Sequence, residues 1–100
     1  MASELLQVNP RTLRLPPSRW SGADPYKYHR QVARFGASAS GMPPPWVSRG
    51  KDGELMLLNG VTRAIRVAKL VPGQTITVEV VEDRPNTDYR KYPTVGDRLP

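Results

Sequence analysis

The chain has no cysteine and a single histidine among its 100 residues. Without thiols it can form no disulfide, and it offers neither a thiolate nucleophile nor a cysteine-based metal site. One histidine also excludes a metal site built from several imidazoles, and it argues against a Ser-His-Asp triad. We therefore expect no metal site, and the sequence identifies no catalytic residue.

Long apolar runs are missing as well. No stretch approaches the roughly 20 apolar residues that a membrane helix needs, and the N-terminus lacks the basic-then-apolar pattern of a signal peptide. Hydrophobic residues make up 38% of the chain, and 11 prolines and 8 glycines indicate many turns. We expect one small cytoplasmic domain that does not enter a membrane.

Acidic residues are scarce in the first part of the chain. Residues 1–71 hold 11 Lys and Arg against 4 Asp and Glu, whereas residues 72–100 hold 4 against 5, which gives the net charge of +6. A basic body is typical of proteins that bind phosphate-bearing partners such as nucleotides or nucleic acid. The alternative is that the Lys and Arg side chains only keep a small domain in solution.

Hydrophobic periodicity and turn residues predict a series of short elements. Thr12–Leu15 is expected to be a strand, and Asp24 and Pro25 are expected to begin a helix that ends at Gly36. The other predicted elements are a loop over 37–45, mobile at its Ser/Gly end, a strand over 46–48, a hairpin turn over 49–53, a strand over 54–58, a helix over 61–71 and a strand over 75–82.

These elements predict the division of the chain and its fold class. We expect a flexible N-terminus over residues 1–10, a domain over residues 11–83 and a C-terminal tail over residues 84–100. A sequence of strands and helices in this order favours an α+β domain with a small mixed sheet and two main helices.

Residues 54–71 carry the main functional signal. A short apolar strand breaks at Asn59 and Gly60 and passes into an amphipathic helix that begins at Val61. Asn and Gly tolerate a left-handed backbone, so the chain can turn there without strain. The free amides that open such a helix favour negative charge, and Thr62 and Arg63 stand beside them. The alternative is that this corner is a purely structural turn that binds no ligand.

The order of elements over Thr12 to Glu82, together with the corner Gly60-Val61-Thr62-Arg63, resembles the ParB/sulfiredoxin superfamily. In that superfamily the corner reads as glycine, two variable residues and arginine, so Gly60 and Arg63 match it. The chain resembles the stand-alone core of these proteins, without the helix-turn-helix domain that follows in ParB.

The resemblance implies a site for nucleotide phosphates at the N-terminus of the second helix, with a nucleoside triphosphate as the candidate cofactor. Val61 stands where sulfiredoxins have their cysteine and ParB-type clamps a glutamate. We therefore expect no reduction of a cysteine sulfinic acid, and a CTP switch of the ParB kind is in doubt. The predicted phosphate-binding residues are Asn59, Gly60, Val61, Thr62, Arg63 and Arg19.

Further basic residues are candidates for contact with a nucleic-acid backbone. Arg66 and Lys69 are expected on the side of the helix opposite its apolar stripe, as an exposed basic strip, and Arg49 and Lys51 lie in the hairpin turn. A solvated charged surface is the alternative for all four.

Three kinds of function stay open at this point. The first is a ParB-like domain that binds a nucleotide or phosphate group and acts on or binds nucleotides or DNA. The second is a ParB-like nuclease, nucleotide hydrolase or toxin effector domain, for which the single histidine, His29, is the acid/base candidate. The third is a non-catalytic module that keeps the fold and binds a protein partner.

Overall fold

The computed structural model describes residues 4–36, 38 and 42–100. Its strands are β1 (Glu4–Val8), β2 (Trp46–Arg49), β3 (Leu55–Leu57) and β4 (Ile76–Asp83), and its main helices are α1 (Pro25–Phe35) and α2 (Val61–Leu70). The predicted α+β class with a mixed sheet and two main helices is confirmed. Part of the loop predicted over 37–45, including the Ser/Gly end expected to be mobile, lies outside the described residues.

The four strands form one sheet in the order β1-β4-β2-β3. β4 pairs antiparallel with β1 and parallel with β2, and β2 pairs antiparallel with β3. The parallel pair needs a long connection, which β3 and α2 supply between β2 and β4. The alternating residues Ile76, Val78 and Val80 of β4 are buried, as their period of two predicts.

Helix α1 begins and ends where the sequence predicted. The Asp24 carboxylate accepts a hydrogen bond from the Tyr26 amide at 2.9 Å, and Pro25 occupies the first helical position. Gly36 ends the helix at φ +58°, a backbone conformation that favours glycine. Of the residues in α1 only Tyr28 is buried, so this helix lies on the surface of the domain.

Helix α2 is the central helix. Six of its ten residues are buried, namely Val61, Ala64, Ile65, Arg66, Val67 and Ala68. It packs against α1 and against two short 3₁₀ turns, Pro10–Thr12 and Val95–Arg98. Because neighbours cover more than one side of α2, its buried surface is wider than the single apolar stripe that the sequence indicates.

Two expectations about the first residues are wrong. The segment predicted to be a flexible N-terminus contains β1, which pairs with β4 in a register that joins Glu4 to Val80 and Val8 to Ile76. The strand predicted over 12–15 is not a regular strand, because only Arg14 makes isolated bridges, to Met56 and Thr94. Leu13 and Leu15 on either side of it are nevertheless fully buried.

The segment predicted to be a C-terminal tail packs onto the domain. Tyr89 and Val95 are buried, and the Tyr89 hydroxyl lies 2.7 Å from the hydroxyl of Ser48. Gly50 allows this close approach, since a Cβ there would lie 2.6 Å from the Thr87 carbonyl oxygen and against the Tyr89 ring. Residues 84–100 therefore belong to the domain.

Among the described residues, no helix combines the length and the apolar composition that crossing a membrane requires.

Candidate anion-binding cleft

The six residues predicted to contact phosphate all line one cleft. This cleft, which we call the anion cleft, has a volume of about 510 Å³ and lies over the N-terminus of α2. It is lined by Pro16, Ser18, Arg19, Lys27, Gln31, Leu58, Asn59, Gly60, Val61, Thr62 and Arg63. Arg19 comes from a loop some forty residues earlier in the chain, so the fold brings together what the sequence predicted separately.

The backbone at the corner leaves the start of α2 open. Gly60 precedes the helix in the left-handed conformation, at φ +74°, and no side chain caps the helix. Asn59, which could have capped it, instead accepts a hydrogen bond from the Trp46 amide at 2.7 Å. The first amides of α2 have no intrahelical partner, so they can bind an acceptor in the anion cleft.

Glycine is required at this corner for a second reason. A Cβ at position 60 would lie 2.7 Å from the Cβ of Pro45, which is closer than real side chains approach. The loop before β2 therefore packs directly against the corner and fixes its shape.

Arg63 lines the anion cleft, but part of its guanidinium already has a partner. Its Nη1 donates a hydrogen bond to the Pro43 carbonyl oxygen, and its Nε is buried without a partner among the described residues. Burial, and secondarily the charge of Arg66, lowers the pKa of Arg63. No carboxylate among the described residues forms an ion pair with it.

Helix α1 contributes two residues to the cleft that the sequence reasoning missed, Lys27 and Gln31. They stand one turn apart, beside the stripe of Tyr28 and Val32 that faces the core. That spacing was visible in the sequence, but the packing of α1 against the start of α2 was not. With Arg19 and Arg63, Lys27 makes three cationic side chains among the described residues of the lining, which include no Asp or Glu.

Val61 and Thr62 have different roles at the corner. The Val61 side chain is buried in the core, so this residue can offer a ligand only its backbone amide. Thr62 is half-buried, and its hydroxyl makes no hydrogen bond to the described residues. Thr62 does not cap the helix, since Gly60 occupies the N-cap position.

The exposed basic strip predicted on α2 is wrong for Arg66, which is 0% exposed. Its Nη1 donates hydrogen bonds to the carbonyl oxygens of Gly36 at 2.7 Å and Ser38 at 2.6 Å, and its guanidinium lies 5.5 Å from the centre of the Phe35 ring. Burial lowers the pKa of Arg66. Because α1 covers this side of α2, Arg66 joins the two helices and cannot contact nucleic acid.

The other predicted nucleic-acid contacts do not line the anion cleft. Arg49 forms ion pairs with Glu4 at 3.1 Å and Asp83 at 2.9 Å, and these carboxylates raise its pKa. The charge of Arg49 is therefore compensated within the fold. Lys51 and Lys69 are exposed.

The described residues that line the cleft include three cations and several hydrogen-bond donors. Among the described lining residues there is no carboxylate and no imidazole. His29 is exposed on α1, with its ring edge-on to Tyr28 at 5.8 Å. Within the part of the chain that the structure describes, no group of three or more His, Cys, Asp or Glu side chains is placed to hold a metal ion.

Comparison with family models, with curated proteins and with solved structures finds no match to this chain in any of the three. The resemblance to the ParB/sulfiredoxin superfamily therefore stays a prediction from the sequence.

Proposed function

We propose that the protein binds the phosphate groups of a nucleotide in the anion cleft. The observation that carries this proposal is the convergence of Arg19, Lys27 and Arg63 on the open N-terminus of α2, with no acidic side chain among the described lining residues. Backbone amides and guanidinium groups are both strong donors to phosphate oxygens, and a helix N-terminus favours negative charge.

The size and lining of the cleft favour a nucleotide over a free phosphate ion. A volume of about 510 Å³ falls within the range of sites that hold small organic molecules. Pro16 and Leu58 add apolar surface that a base or a ribose can cover. The resemblance of the corner to ParB-like proteins supports the same ligand, and a nucleoside triphosphate as the form bound. A cytoplasmic location is part of this proposal.

The proposal is limited to binding of the nucleotide and does not include its hydrolysis. The described lining residues lack a carboxylate or imidazole to act as a general base, so no residue is assigned to hydrolysis of the nucleotide or to nuclease chemistry.

Calorimetric titration tests the proposal with ATP, CTP and adenosine, which lacks phosphate. We expect ATP and CTP to bind and adenosine to bind far more weakly. Arg19→Ala and Lys27→Ala should each weaken binding about tenfold, because each removes one charge-assisted contact.

Lys69→Ala is the matched control for the loss of one positive charge. Lys69 is exposed near the C-terminal end of α2 and does not line the cleft, so its removal should leave the affinity within about twofold. Adenosine binding as well as ATP, or equal losses for all three variants, would contradict a phosphate site in this cleft.

A further inference from the structure

The exposed side of α1 carries a row of cations that continues from the anion cleft. Lys27, Arg30 and Arg34 follow at intervals of three and four residues, so they lie on one side of the helix. Over seven residues this row extends about 10 Å along the helix axis. We call Tyr26, Lys27, Arg30 and Arg34 the α1 surface.

Among the described residues, no Asp or Glu side chain forms an ion pair with the cations of the α1 surface. The helix itself contains no Asp or Glu, and the Asp24 carboxylate before it is engaged in capping. All ion pairs among the described residues involve Arg14, Arg49, Arg84 or Arg90, and none involves a cation of the α1 surface. An ordinary solvated helix mixes charges of both signs, which this one does not.

A second hollow of about 330 Å³ joins the α1 surface to the anion cleft. It is lined by Lys27, Arg30, Gln31, Arg34, Phe35 and Met42. Lys27 and Gln31 line both hollows, so the two are neighbours on the surface. Half-buried Phe35 and Met42 give the second hollow an apolar floor between its cations.

Aromatic rings are available beside these cations. Tyr26 is 71% exposed as a residue, and the Arg30 guanidinium lies 5.6 Å from the centre of its ring. The Arg34 guanidinium lies 5.2 Å from the centre of the Phe35 ring. Guanidinium groups that bind phosphates beside rings on which bases can stack are the combination used to bind single-stranded nucleic acid.

We propose that single-stranded nucleic acid binds along the α1 surface, with one of its nucleotides seated in the anion cleft. The cations Lys27, Arg30 and Arg34 contact successive backbone phosphates, and Tyr26 and the floor of the second hollow receive unstacked bases. This inference rests on the proposed function, since it makes the nucleotide in the cleft one residue of a longer strand.

Fluorescence anisotropy with a labelled oligothymidylate of about ten nucleotides tests the proposal, because this length covers a typical single-strand site. The binding constant is measured against salt concentration for the intact chain and for Arg30→Gln/Arg34→Gln. Each lost phosphate contact reduces the slope of log K against log salt by about 0.7, so the double variant should lose about 1.4 from the slope.

The control variant Lys51→Gln/Lys69→Gln also removes two positive charges. It removes them at two positions that the sequence predicted to contact nucleic acid and that lie outside the α1 surface. We expect this pair to change the slope by much less than the α1 pair. Equal losses in the two double variants would contradict a path along α1. Both pairs replace exposed side chains, and a thermal unfolding scan verifies that each variant is folded.

Two further ligands, a DNA duplex and polyglutamate, test whether the partner is single-stranded nucleic acid. A duplex of the same length should bind more weakly than the single strand, because its bases are not free to stack on Tyr26. Polyglutamate should not displace the oligonucleotide at equal charge concentration. A duplex that binds as tightly, or efficient displacement by polyglutamate, would overturn the assignment to single strands.

The same variants separate this inference from the proposed function. Arg30→Gln/Arg34→Gln should leave ATP affinity within about twofold, because neither residue lines the anion cleft. ATP binding without oligonucleotide binding would overturn only the inference. Oligonucleotide binding that depends on Arg30 and Arg34, with no binding of ATP, would overturn the proposed function and leave only the path along α1.

Discussion

Ten of the 15 Lys and Arg residues of this chain form two groups on different parts of the fold. The other five belong to neither group and form no ion pair among the described residues, namely Arg11, Lys51, Lys69, Lys91 and Arg98. Near the sheet and the C-terminal segment, each arginine of the first group has a carboxylate within 3.2 Å: these are Arg14, Arg49, Arg84 and Arg90. Around the anion cleft and α1, no cation of the second group pairs with a carboxylate in the described part of the chain: these are Arg19, Lys27, Arg30, Arg34, Arg63 and Arg66. We call the first group the paired side and the second the cleft side.

The difference follows from where the acidic residues lie in the chain. Eight of the nine stand at position 4 or within residues 52–97, and the ninth, Asp24, caps α1. The paired side therefore neutralises itself when the chain folds. On the cleft side Arg63 and Arg66 donate to backbone carbonyl oxygens, and the exposed cations Arg19, Lys27, Arg30 and Arg34 face solvent, where a bound anion can compensate their charge. The comparison teaches that net charge alone does not distinguish the two groups of cations, whereas the presence or absence of a carboxylate partner does.

Arg66 is the cleft-side cation that should matter most for stability. Arg66→Met should lower the free energy of unfolding by about 3 kcal/mol, because it removes two part-buried, charge-assisted hydrogen bonds, to the carbonyl oxygens of Gly36 and Ser38. Urea denaturation measures this loss. Lys69→Met, on the same helix but exposed, should cost less than about 0.5 kcal/mol. Equal effects at the two positions would contradict a structural role for Arg66.

The glycine corner of the cleft should be the next most sensitive. Gly60→Ala combines a positive φ of +74° with a Cβ only 2.7 Å from Pro45, so it should destabilise the fold by about 2 kcal/mol. Gly73→Ala is the matched control, since its φ is +88° but nothing lies within 4 Å of the added Cβ. It should cost about 1 kcal/mol. Similar unfolding midpoints would show that the contact with Pro45 does not constrain the corner.

Charge reversal compares the two sides at single positions. Arg49→Glu should lower the urea midpoint at low salt, because it replaces two ion pairs by repulsion from Glu4 and Asp83. Arg30→Glu should leave the midpoint unchanged or raise it slightly, since it relieves repulsion from Lys27 and Arg34. Salt should reduce the effect of Arg49→Glu. Two variants with the same loss would contradict the division into paired and cleft sides.

The smallest expected effect is a pH dependence on the paired side. The Arg90 side chain, and next its backbone amide, lower the pKa of Asp88 from 3.8 to about 2. The folded state therefore holds fewer protons than the unfolded state between these values, and stability falls as the pH drops through that window. Asp88→Asn should flatten the stability curve between about pH 4 and pH 2. An unchanged curve would show that this pair does not contribute.

The features predicted from the sequence are those that local chemistry decides. Asp24, Pro25 and Gly36 fix the ends of α1 through capping and backbone preference, and Gly60 fixes the corner before α2. The hairpin between β2 and β3 and the alternating strand β4 are decided in the same way. The lining of the anion cleft from Asn59 to Arg63 follows from that corner.

The features that were missed depend on contacts between distant parts of the chain. β1 has Leu5 and Leu6 side by side, which hides its alternation, and its partner β4 is about 70 residues away. The burial of Arg66 depends on α1 covering a second side of α2. Tyr89 and Val95 dock as single side chains without periodicity, which no sequence window can recognise.

An amide NMR titration with ATP would locate phosphate binding residue by residue. The proposed function requires the largest shifts at the amides of Val61, Thr62 and Arg63, with smaller shifts at Arg19 and Lys27 and none at residues 88–90 on the paired side. Adenosine at the same concentration should leave the Val61–Arg63 amides in place. Shifts confined to other parts of the chain, or none at millimolar ATP, would contradict binding at the N-terminus of α2.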